Sequence, residues 1–156
     1  MMHHSRDRVV LLVLVILLPL GFVSAQRFNV GVSDLTTFTP KAYFMDLHFD
    51  ININTSLVGV KFGAENVKPE HWYSGLYVGQ RKVFDDKFSV IGTIGLGYMS
   101  PFESHEKGSM YGELGVALRY VVAPPLYFEV GYNAYQLPAK ERPNYQGAKF
   151  TIGITF

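Results

Sequence analysis

The last nine residues, Ala148-Lys149-Phe150-Thr151-Ile152-Gly153-Ile154-Thr155-Phe156, alternate strictly between two kinds of side chain. Ala148, Phe150, Ile152, Ile154 and Phe156 fall on one side; Lys149, Thr151, Gly153 and Thr155, with Gly147 before them, fall on the other. Successive side chains of a β-strand point to opposite faces, so a period of two is the pattern of a strand with one apolar and one polar face.

Working back along the chain, the same pattern recurs. Leu126, Phe128, Val130, Tyr132 and Ala134 oppose Tyr127, Glu129, Gly131, Asn133 and Tyr135. Tyr43, Met45, Leu47, Phe49 and Ile51 oppose Phe44, Asp46, His48 and Asp50, and Val58, Val60, Phe62 and Ala64 oppose Gly59, Lys61, Gly63 and Glu65. In all, eight segments are expected, at 26–35, 42–52, 55–65, 71–84, 87–99, 109–122, 126–136 and 146–156, with no amphipathic helix of useful length. The connections alternate as well. Those near 53–54, at Asp85-Asp86 and around Ala123-Pro124-Pro125 are very short, whereas those near 36–41, 66–70, 100–108 and 137–145 are longer and more polar. The expected fold class is all-β, an eight-stranded antiparallel up-and-down barrel.

Side-chain volume decides which face points inward. An eight-stranded barrel has an interior only just wide enough for side chains to fill, so roughly forty large apolar groups cannot be inside it. The other face carries Gly31, Gly59, Gly63, Gly75, Gly79, Gly95, Gly97, Gly115, Gly131, Gly147 and Gly153, which suits a crowded interior. Polar inside and apolar outside is the arrangement of a transmembrane barrel. The inward face is also expected to hold Arg27, Lys61, Arg81, Arg119 and Lys149 against Asp46, Asp50, Glu65, Glu113 and Glu129, with His48 among them. These charges cancel, and charges persist in a narrow, poorly hydrated space when they are paired. The lumen therefore reads as a closed network of ion pairs, Tyr hydroxyls and Gly. Tyr43, Trp72, Tyr98 and Tyr132 are placed on the lipid side near strand ends, as an aromatic belt.

Residues 1–25 stand apart. Arg6 and Arg8 precede an apolar run from Val9 to Leu18, and Val23-Ser24-Ala25 precedes Gln26. That is the order of a cleaved secretory signal peptide, leaving a single barrel domain at 26–156. Its removal leaves 12 cationic and 12 acidic residues and a net charge of zero, so nothing points to nucleic acid. With no Cys there is no disulfide, thiol nucleophile or cysteine metal site.

Together, the leader, the eight strands, the loop asymmetry and the terminal Phe156 resemble the small outer-membrane barrels of the OmpA transmembrane-domain and OmpX type. The resemblance spans the whole of 26–156 and rests on pattern. It implies the outer membrane of a Gram-negative bacterium, a monomer surrounded by membrane lipid and lipopolysaccharide, and no cofactor. It also implies that Phe150, Ile152, Ile154 and Phe156 form the terminal signature presented to the barrel-assembly machinery.

Several constellations invite chemistry. Lipid A deacylases of similar size use a His-x-Ser pair late in the chain; the corresponding stretch here is Tyr132-Asn133-Ala134-Tyr135-Gln136, so no base–nucleophile pair is available there. Ser104-His105-Glu106 are loop neighbours whose side chains diverge. Asp46, His48 and Asp50 line one strand face, where pairing with Lys61, Arg27 or Lys149 is expected over metal binding. Glu113 and Glu129 are expected to face each other across strands six and seven, with Arg119 and Lys149 nearby. Gly92 to Gly97 lacks phosphate-loop spacing, and Asn54-Thr55-Ser56 matches a glycosylation acceptor only formally. The expected role is non-enzymatic, in envelope structure or surface contact. The outer-loop residues Lys68, Glu70, His71, Glu103, His105, Glu106, Lys107, Lys140, Glu141 and Arg142 are the candidate contacts. A lipid-active barrel and a narrow channel are the alternatives.

Overall fold

The computed structural model describes residues 26–38, 41–67, 71–101, 108–138 and 144–156. The expected leader and most of the candidate loop contacts, from Lys68 and Glu70 through Glu103–Lys107 to Lys140–Arg142, lie outside the described residues. Eight strands run β1 (Gln26–Thr37), β2 (Tyr43–Ile53), β3 (Ser56–Glu65), β4 (Trp72–Val83), β5 (Phe88–Met99), β6 (Ser109–Ala123), β7 (Leu126–Gln136) and β8 (Tyr145–Thr155). Each pairs antiparallel with its sequence neighbour, and β1 pairs with β8 to close the barrel. Closure leaves no strand edge with unpaired backbone groups, which is the condition for a sheet surrounded by hydrocarbon.

Two of the three short connections are tight because local chemistry makes them so. Asn54 turns the chain from β2 to β3 at φ 57°, a conformation asparagine tolerates better than most side chains. Between β4 and β5 the Asp85 carboxylate accepts from the backbone N–H groups of Lys87 and Phe88, both at 2.7 Å. These short turns and both ends of the barrel chain share one rim; the long connections share the other.

The register fixes the barrel's shape. Followed straight across the sheet from Ser56 at the foot of β3, a row passes through Gln80, Gly92, Val116, Tyr132, Ala148, Thr36 and Tyr43. It returns to β3 at Asn66, ten residues further along. With eight strands, that stagger tilts them by about 40°, so each residue climbs about 2.5 Å along the axis and each step across the row about 3 Å.

The faces are assigned as expected. Leu76, Leu96, Leu114, Phe62, Ile94, Phe150 and Ile152 are exposed on the outside, while His48, Asp50, Lys61, Glu113 and Arg119 are buried inside. This inversion of a soluble protein's pattern is a membrane barrel's. The inward glycines make room for rings. A Cβ on Gly153 would lie 2.2 Å from the Tyr127 ring, and one on Gly63 would lie 2.5 Å from that of Tyr73.

Candidate functional site

Among the described residues, the interior available for chemistry is the lumen, which has three layers. At the long-loop end it is filled by rings. Tyr73 packs against Phe44, Tyr111 and Tyr135 with centroids 5.7, 6.1 and 5.7 Å apart, and Phe44 meets Tyr145 at 5.8 Å. Leu35, Ala42, Met99 and Leu137 complete this buried cluster. The expected lumen of ion pairs, Tyr hydroxyls and Gly is present with an addition: its outer third is an aromatic plug, and a smaller apolar group, Leu57, Tyr77 and Ile91, sits toward the other end.

The middle layer holds the charges. Lys61 on β3 forms an ion pair across the lumen with Glu113 on β6, donates to the Tyr135 hydroxyl at 3.2 Å, and lies 4.8 Å from the centre of that ring. Glu113 also accepts from the Asn133 amide at 2.5 Å. Asp46 accepts from the Tyr73 hydroxyl at 2.8 Å and lies 3.6 Å from the Lys149 ammonium. Asp50 takes neutral donors in place of the expected cation, from the Asn29 amide and from Tyr77 at 3.1 Å. The third layer, toward the short turns, pairs Arg119 with Glu129 at 2.5 Å and lays the guanidinium 4.0 Å from the centre of the Tyr127 ring.

Five expected placements change. Glu113 and Glu129 do not face each other: Glu113 lies opposite Tyr135 and Glu129 opposite Arg119, so each carboxylate has its own cation. Glu65 leaves the lumen network for the long-loop rim, where it pairs with His71 at 2.9 Å. Arg27 is exposed at the short-turn mouth, and Arg81 is half-buried with its Nε unpartnered. Neither is within salt-bridge distance of a carboxylate among the described residues. Tyr132 lies in the body of β7, not at its end, and its hydroxyl donates to Gln146 at 2.8 Å. Trp72 and Tyr98 do sit together near the long-loop rim, 5.7 Å apart, and Tyr43 lies below Lys41 there.

One trio resembles a hydrolytic relay. His48 Nδ1 lies 3.3 Å from the Ser33 hydroxyl and 3.6 Å from Asp46, while Nε2 lies 3.4 Å from the Tyr127 hydroxyl. A relay needs base and orienter on opposite ring nitrogens. Here serine and aspartate crowd the same nitrogen, and Ser33 is already engaged by Thr151 at 2.8 Å. The arrangement is a structural knot. The cavity beside it, lined by Lys61, Glu113, Arg119 and Glu129 among others, measures about 50 Å³, room for a few waters and no substrate.

Alternation already puts Asn133 and Tyr135 on the inward face, but without naming their partners. Sequence reasoning missed Asn29, Tyr73, Tyr77 and Tyr111 altogether, although their parity with Gly31, Gly75 and Gly115 places them inside too.

No family model matches the chain, and no curated protein matches it. Its fold matches the N-terminal β-barrel domain of Pseudomonas aeruginosa OprF with a TM-score of 0.68 at 10% identity, over 83% of this chain and 97% of that one. It matches a de novo designed transmembrane β-barrel at 0.62 and 13% identity, over 83% and 95%. The Yersinia pestis outer-membrane protein Ail, in a phospholipid nanodisc, matches at 0.55 and 13% identity, over 84% and 98%. The chain has the fold of the small eight-stranded outer-membrane barrels. The fold by itself assigns no activity.

Proposed function

We propose that the protein is a non-enzymatic integral barrel of the outer membrane of a Gram-negative bacterium, acting in envelope structure or surface contact through the loops of its long-loop rim. The observation that carries this reading is the filled lumen. An aromatic plug lies over paired charges, leaving, among the described residues, neither a substrate pocket nor a base–nucleophile pair inside. The outside is a lipid-facing apolar girdle, so the long connections are the part left to meet other molecules. The terminal strand, with Phe150, Ile152, Ile154 and Phe156 outward, presents the apolar row expected to engage the assembly machinery.

The competing lipid-active reading has a direct test. Purified protein is incubated with lipopolysaccharide and the lipid products are weighed by mass spectrometry. Unchanged lipid masses are expected; loss of an acyl chain's mass would overturn the non-enzymatic reading.

A further inference from the structure

We infer that the barrel sits obliquely in its membrane, with the long-loop end of β8–β1 and the short-turn end of β3–β4 both standing clear of the hydrocarbon. This rests on the membrane-barrel reading and adds to it the surface by which lipid is met.

Outward residues at equal heights above Ser56 differ in polarity between the two flanks of the barrel. About 14–16 Å up, β1 presents the exposed carboxylate of Asp34 and β8 presents Ala148, with Gln146 next above it. At that same height, about 15–16 Å, the other side of the barrel presents Phe62 and Leu96, which are 57% and 67% exposed. Toward the short turns the asymmetry reverses. Ser56 and Gln80 face outward on β3–β4, hydrogen-bonded to each other at 2.8 Å, with Lys82 exposed just beyond. Within about 3 Å of their height, β8 presents exposed Ile154.

In an upright barrel, Asp34 would be set in the hydrocarbon among Met45 and Phe150, its outward neighbours on β2 and β8. An outward charge is unfavourable there, increasingly so toward the midplane. An oblique band removes both polar patches from the hydrocarbon by one rigid rotation. It also accounts for Tyr132. Trp72 and Tyr98 mark the outer interface high on β4–β5, and Tyr132, bonded upward to Gln146, marks the same interface lower on β7–β8. The aromatic belt is a slanted ring.

The chain has no native Cys, so single-cysteine variants can be spin-labelled without background. Ala148→Cys and Leu96→Cys form one equal-height pair; Gln80→Cys and Ile154→Cys form the other. Each is reconstituted in phosphatidylcholine vesicles, after heat-modifiable gel migration has shown that it folds. Asp34→Cys and Phe62→Cys replace any upper-pair variant that does not. Oblique insertion gives the Leu96 and Ile154 labels a severalfold higher ratio of oxygen to nickel-complex accessibility than their partners. Equal ratios within each pair would mean an upright barrel and overturn the proposal. Nickel accessibility at all four sites would instead overturn membrane insertion itself.

Discussion

Replacing Gly97 by valine is expected to abolish the folded barrel, while the same replacement at Gly92, five residues earlier on β5, leaves it intact. The two glycines lie on opposite faces of one strand. A Cβ on Gly97 would lie 2.3 Å from the Ser74 carbonyl oxygen and 2.4 Å from the Tyr111 ring, whereas one on Gly92 meets nothing within 4 Å. The carbonyl belongs to the neighbouring strand and cannot swing aside, and Tyr111 is held in the plug by Tyr73 and Tyr135. Overpacking commonly costs about 1–3 kcal/mol, and more where backbone is the obstacle. Heat-modifiable migration after refolding in detergent reads both outcomes. A Gly97→Val barrel that folds like the native chain would contradict the inward placement of this face.

The second large effect concerns Lys61 and Glu113. Glu113→Leu leaves the Lys61 ammonium, 1% exposed, without its carboxylate, and is expected to destabilise the barrel by about 3–5 kcal/mol in reversible unfolding from lipid or detergent. Replacing both partners, as Lys61→Met with Glu113→Leu, should recover most of that loss, because an apolar pair no longer holds an uncompensated buried charge. If the double replacement were as unstable as the single one, the cost would lie in packing and not in the stranded charge.

Which features were legible in the sequence follows from their range. Strands depend on neighbours two residues apart, as in Phe150, Ile152 and Ile154; side-chain volume then sets their faces, and connection lengths set the loop asymmetry. The partner of Lys61 was not legible. It is Glu113, three strands away, and the ten-residue stagger that brings them together is a property of the closed sheet, not of either segment. The plug was half legible: parity puts Phe44 and Tyr73 inside, but only their contact across the lumen makes them a seal. Reading the lumen as ion pairs, Tyr hydroxyls and Gly left its apolar contacts out, and assigned Arg27 and Glu65 to a network that ends before it reaches them. Asp34 escaped notice because it interrupts an apolar face, and such an exception gains meaning only when its height can be compared with that of Leu96 on the far side.

The central claim, a filled lumen, is tested most directly by planar-bilayer recording of the purified barrel. With the plug of Phe44, Tyr73, Tyr111 and Tyr135 above the Lys61–Glu113 pair, no steady conductance above that of the bare bilayer is expected. Reproducible, sustained conductance steps would contradict it.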